Sequence, residues 1–169
     1  AAVDDVADAS WIVDVPAKAP NATAPIQSQI VFLDLGIEHT ETLSGSLAGV
    51  EGAGLRVVQL DAGRDGVSQI SAALAGERDL GAIHILSHGA SGSLQLGSAA
   101  LDAVTLDGYA AQLAAWRDAL ASDADILLYG CNVGADAIGE SFIARLAEYT
   151  GANVAASDDV TGSSLLGGD

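Results

Sequence analysis

Ala82-Ile83-His84-Ile85-Leu86, followed at once by Ser87-His88-Gly89, is the stretch on which the fold turns. The run is short, apolar apart from His84, and lacks the alternation of a half-solvated strand. The same holds for Asp125-Ile126-Leu127-Leu128-Tyr129, which runs into Gly130-Cys131. Strands apolar on both sides belong inside a parallel sheet covered on both faces. Outward from these two, Ile30-Val31-Phe32-Leu33-Asp34-Leu35, closed by Gly36, reads as a first strand and Leu55-Arg56-Val57-Val58-Gln59-Leu60 as a second. Asn153-Val154-Ala155-Ala156 reads as a fifth.

Helical spacing fills the gaps. Leu43, Leu47 and Val50 predict a helix over 39–54, and Val67, Ile70 and Leu74 predict one that Gly76 ends. Tyr109, Leu113, Trp116 and Leu120 mark a helix over 106–121, and a last helix over 137–150 stops at Gly151. Ser93-Leu94-Gln95-Leu96-Gly97 alternates and suits a small hairpin or flap. Asp61-Ala62-Gly63-Arg64-Asp65-Gly66 lacks the spacing of an EF-hand loop and reads better as a helix cap after a strand. Strands separated by helices imply right-handed crossovers. The expected fold is a three-layer α/β/α sandwich on a mostly parallel sheet of five or six strands, in the order 2-1-3-4-5.

Composition narrows the function. The chain has 169 residues and a net charge of −17, with a single cysteine. Such an acidic balance opposes nucleic acid and anionic membrane surfaces, both of which need clustered Lys and Arg. No apolar run approaches the roughly 20 residues of a membrane span. One cysteine excludes an internal disulfide and a multi-cysteine zinc site. Half the residues are hydrophobic but only 4% aromatic, so the core must be built from Ala, Val, Leu and Ile. Residues 1–29 hold all three prolines and read as a Pro/Ala-rich leader or linker, with Trp11-Ile12-Val13 as a candidate edge strand; residues 30–169 read as the α/β domain. The absence of methionine points to a piece of a longer polypeptide.

In a doubly wound sheet, ligands bind beyond the carboxyl ends of the strands. Two strand exits carry reactive side chains to that rim: His88 after one, Cys131 after the other. Backbone N–H groups at such a turn favour a thiolate, and a nearby imidazole can act as general base. Gly89 lets the backbone approach a substrate, so its N–H and that of Cys131 are candidate donors to an oxyanion. The plainer reading of a lone cysteine is a small buried hydrophobe. His84 reads as a satisfied core histidine and His39 as part of a solvated helix start. A zinc site from His84, His88 and Cys131 is disfavoured, because a strand and its exit do not give the spacing of one helix face.

The motifs IHILSHG and DILLYGC resemble those of clan CD cysteine peptidases, which include caspases, gingipains, separases and the self-processing domains of large bacterial toxins. The resemblance implies a caspase-like fold, a His88–Cys131 dyad, and an oxyanion hole from Gly89 and Cys131. From Ile30 to Asp169 the chain is also similar to an uncharacterised domain found near the N-terminus of very large bacterial RTX-type and adhesin-like surface proteins. Asp34, the HILSHG segment, Gly92, Leu96-Gly97, Gly130-Cys131 and the late segment from Ala155 to Gly162 carry that similarity.

These resemblances imply a cysteine endopeptidase outside the cell or at its surface. Its substrate would be a polypeptide, its own precursor included, and its chemistry would need no cofactor. Calcium is retained as a structural or activating ion, and a monomer is expected. Asp34, Asp158 and Asp159 follow strands and could form an acidic pocket selecting Arg or Lys before the cut; their plainer role is capping. Arg56 and Arg64 are the fewer candidates for a basic pocket. The small-residue stretch Thr161-Gly162-Ser163-Ser164-Leu165-Leu166-Gly167-Gly168-Asp169 is a candidate cleavage region, and the sixth strand usual in the clan is expected beyond it. The rival reading is a non-catalytic binding or retention module of an adhesin on the same fold.

Overall fold

The computed structural model describes residues 27–37 and 54–157. The leader to Pro25, Trp11-Ile12-Val13, the helix predicted over 39–54 up to its last residue, Asp158, Asp159 and the tail from Thr161 lie outside the described residues. The five apolar runs form one sheet: β1 Gln29–Asp34, β2 Leu55–Leu60, β3 Leu80–Leu86, β7 Leu120–Tyr129 and β8 Asn153–Ala156. Each pairs parallel to its neighbour. The order is β2-β1-β3-β7-β8. In chain numbering this differs from 2-1-3-4-5, because three further strands follow β3 and make a sheet of their own. These are β4 His88–Ala90, β5 Ser93–Leu96 and β6 Ala99–Asp102, an antiparallel meander. The expected flap is thus a three-stranded sheet that starts at His88 itself.

Among the described residues three α-helices connect the strands: α1 Gly66–Leu74, α2 Ala110–Trp116 and α3 Asp136–Thr150. Asp65 caps α1 by accepting the Ser68 N–H at 2.9 Å, as the reading of that loop as a helix cap requires. The helix predicted over 106–121 is shorter. Single 3-10 turns, Leu106–Tyr109 and Arg117–Ala119, flank α2, and β7 begins at Leu120.

Alternate strand positions share a face. Ile30, Phe32, Ile83, Ile85, Ile126, Leu128, Val154 and Ala156 form one cluster with Val67 and Ile70 of α1, Leu113 and Trp116 of α2, and Phe142 and Leu146 of α3. All three described helices therefore cover the same face. The opposite face is buried at Val31, Leu33 and Ala155 as well, which explains why these strands carry so little alternation. Each fully buried aliphatic or aromatic side chain contributes about 1.5–3 kcal/mol of transfer free energy. The half-exposed ion pair Arg56–Glu77, at 2.7 Å, is of the kind worth about 0–1 kcal/mol. The apolar layer holds the sheet; the ion pair only decorates its edge.

Candidate active site

The carboxyl ends of all five strands open on one rim. The chain changes direction across the sheet between β1, which pairs with β2 on one side, and β3 on the other. Such a switch is where a parallel sheet leaves a crevice. The exits of β1 and β3 meet there: the His88 ring Nε2 lies 3.2 Å from the Gly36 carbonyl oxygen, and the ring is exposed. With a carbonyl as its only partner in that contact, Nε2 carries the proton and donates, and Nδ1 is left as the basic nitrogen.

Cys131 leaves the next strand. The β3–β7 register pairs Leu86 with Tyr129, and the Ser87 N–H donates to the Tyr129 carbonyl at 3.3 Å. The Gly130-Cys131 exit therefore runs beside Ser87-His88. Beyond it the two motifs touch through their glycines. A Cβ on Gly89 would overlap the Val133 side chain and stand 3.1 Å from Gly130 Cα; one on Gly130 would stand 3.2 Å from Gly89 Cα. Val133, fully buried, seals this contact. Only residues without a Cβ allow the two backbones so close. Cys131 itself is half-buried and in no disulfide.

The segment after Cys131 is a turn, and α3 starts at Asp136. Cys131 is thus five residues ahead of the helix, beyond the first turn over which a helix terminus acts. Asn132 and Asp136 both have φ of 56°, a conformation unusual for side chains other than glycine and frequent at functional sites. Three donors fix this turn. Gly92 N–H donates to the Val133 carbonyl at 3.0 Å and Gly134 N–H to the Ser157 carbonyl at 2.7 Å. The Ser91 hydroxyl lies 2.9 Å from the Ala135 carbonyl and 2.7 Å from Asp136 Oδ1.

Asp34 is buried at 3% exposure with both oxygens used. Oδ1 accepts the Gly36 N–H at 2.7 Å and Oδ2 the Gly97 N–H at 2.5 Å. It acts as an internal acceptor, the capping role rather than an open pocket wall. Arg56 sits near the start of β2 and pairs with Glu77, at the other end of the strands from the rim. His84 lies mid-strand on the face away from the three described helices. Its ring contacts Tyr129 Oη at 3.2 Å and Gln29 Oε1 at 2.9 Å and stacks on the Tyr129 ring at 5.9 Å. Burial holds its pKa below the usual histidine value, against an opposing pull from Asp125, and burial pushes the Tyr129 hydroxyl up. With both ring nitrogens engaged, His84 is a satisfied, half-buried residue of the sheet rather than part of the buried core.

A surface cavity of about 400 Å³ is lined by Leu60, Arg64, Asp65, Ser68 and Gln69. It lies on the β2 side, across β1 and β3 from β7, whose exit carries Cys131. The residues that sequence reasoning missed are Val133, Ser91, Asp136 and the Gly36 carbonyl; Gly97 was singled out only by the family similarity, without its role. A Gly two positions after a strand-end Asp was the one available signal for the Gly36 carbonyl.

Residues 30–169 match the family model described as Domain of unknown function (DUF4347). No curated protein and no solved structure matches the chain.

Proposed function

The chain belongs to the DUF4347 family, and from that premise we propose that it is a cysteine endopeptidase with a His88–Cys131 dyad. The observation that carries the reading is the close approach of Gly89 and Gly130 under Val133, which joins the His-Gly and Gly-Cys exits on one rim. The mostly parallel α/β sandwich is compatible with the caspase-like fold that the motifs resemble.

In this reading Cys131 Sγ attacks the scissile carbonyl as its proton passes to His88 Nδ1, while Nε2–H stays on the Gly36 carbonyl. The N–H groups of Gly89 and Cys131 receive the oxyanion. His88 returns the proton to the leaving amine. Water, losing a proton to His88, then hydrolyses the thioester and restores the thiol. The substrate is a polypeptide of a large secreted surface protein, the domain's own precursor included, and the acidic character of the chain (net −17) supports Arg or Lys before the cut. Asp158 and Asp159 remain the pocket candidates; the burial of Asp34 argues against its facing substrate.

The test is expression of the domain with its natural flanking sequence on both sides, as wild type, Cys131→Ala and His88→Ala. Fragments from wild type alone support the reading. Equal fragments from all three, or none from wild type across calcium and pH series, overturn it. The half-burial of Cys131 favours a second reading, a non-catalytic module of an adhesin. A thiol unreactive to iodoacetamide over hours in the folded protein selects that reading.

A further inference from the structure

The Gly36 carbonyl is useful to His88 only if it stays where it is. The chain leaves β1 into a tight turn: the Ile37 N–H donates to the Asp34 carbonyl at 3.3 Å, and Asp34 Oδ1 reaches two residues on to the Gly36 N–H at 2.7 Å. This local side-chain-to-backbone bond bends the chain in the manner of an Asx turn. The second oxygen anchors the turn from outside, on the Gly97 N–H at 2.5 Å. Gly97 lies between β5 and β6 and is itself fixed. It bridges to Asp65, and Ser98 N–H donates to the Arg64 carbonyl at 2.9 Å. At φ 58° an added Cβ would also collide with the Arg64 carbonyl. Two residues earlier, Gln95 pairs with His88 in the β4–β5 ladder. The meander therefore holds the His88 backbone through Gln95 and its ring partner through Gly97 and Asp34.

We infer that Asp34 is a positioning residue for His88: its two oxygens, on the N–H groups of Gly36 and Gly97, keep the Gly36 carbonyl facing His88 Nε2. This rests on the peptidase reading for its purpose but not for its test. Asparagine at 34 keeps one acceptor oxygen and turns an NH2 group toward the other N–H, donor against donor.

The experiment compares wild type, Asp34→Asn, Gly36→Ala and His88→Ala. Two quantities are read: side-chain 15N shifts of His88 at alkaline pH, which report which ring nitrogen holds the proton, and the rate of Cys131 alkylation by iodoacetamide. In wild type the Nε2–H form dominates. Asp34→Asn lowers its share and slows alkylation about tenfold, the loss of one charge-assisted hydrogen bond. If Asp34→Asn does not fold, Gly36→Ala disturbs the same contact, since its Cβ would lie 3.0 Å from Asp34 Oδ1, and it shifts the tautomer in the same direction. A folded Asp34→Asn or Gly36→Ala with wild-type shifts and rate overturns the inference. Alkylation insensitive to His88→Ala overturns the dyad instead, and leaves the tautomer readout to decide on Asp34.

Discussion

The two arms of the site are fixed in different ways. The His88 arm stays in regular β structure, passing from β3 straight into β4, and its exposed ring is tethered by one backbone carbonyl. The Cys131 arm leaves the sheet in a turn with two left-handed non-glycine residues, clamped by Gly92, Gly134 and Ser91. One arm is located by a side-chain tether, the other by strained and heavily bonded backbone. Substitutions on the Cys131 side should register mainly as stability, and those around the His88 tether mainly as reactivity.

The largest expected effect falls where the arms meet. Gly89→Ala drives a methyl group into Val133 and against Gly130. Overpacking of this kind costs about 1–3 kcal/mol, and separation of the two exits should abolish self-cleavage. Val133→Ala removes the colliding branch, so the double variant should recover part of the loss, with a coupling of about 0.5–3 kcal/mol in a double-mutant cycle. Denaturant midpoints for the four proteins measure it. Additive losses would mean that the arms do not press on each other through Val133.

A smaller effect separates two residues with the same φ. Asn132→Gly relieves a left-handed position that costs a side chain about 1–3 kcal/mol, less the 0.5–1 kcal/mol that glycine loses in entropy, for a net gain of about 0–2.5 kcal/mol. Asp136→Gly gains the same relief but loses the carboxylate that accepts the Ser91 hydroxyl and the Ile138 N–H at 2.8 Å, so it should destabilise. The Ser91 hydroxyl first, then the Ile138 N–H, hold Asp136 below the usual carboxylate range. Its contribution is therefore fully present above about pH 3.9, the ordinary aspartate value, and is lost as pH falls through the lower folded value. The gap between wild type and Asp136→Gly should close in acid. A gap that persists there would assign the loss to backbone freedom alone.

The parallel sheet was legible because its strands are buried on both faces, so Ile83-His84-Ile85 and Ile126-Leu127-Leu128 show no polar alternation. The first half of β7 was not, because Leu120 and Ala121 continue the helical spacing read over 106–121, and Ser122 and Asp123 after them are exposed. His88-Gly89-Ala90 was read as a strand exit, since a three-residue strand has too few positions to show a period. His88 and Cys131 were legible as residue types at strand ends. Their supports were not: Asp34 meets Gly97, and Gly36 meets His88, through backbone groups that any residue carries. Long-range backbone contacts leave a mark on sequence only where they force glycine, as at Gly89, Gly97 and Gly130.

The smallest effect lies in β3, at His84, four residues before the rim histidine. Gln29 Oε1 can only accept, so His84 Nε2 donates to it and Nδ1 accepts the Tyr129 hydroxyl. A second proton on the ring would confront that hydroxyl and add a charge to a site that burial already disfavours. The folded value thus lies below the unfolded one of about 6.5. Above that pH both states are neutral and His84 contributes nothing to the pH dependence. Below it the unfolded chain takes up the proton first, so stability falls with pH until the folded value is passed. Partial exposure and the opposing charge of Asp125 keep the slope shallow. Between pH 7.5 and 5, denaturant midpoints of wild type should drop more than those of His84→Gln, which lacks this proton but keeps a polar group for Tyr129. Parallel curves would show that His84 takes its proton as readily in the sheet as in water, and the contrast between a satisfied inner histidine and an open one at the rim would be lost.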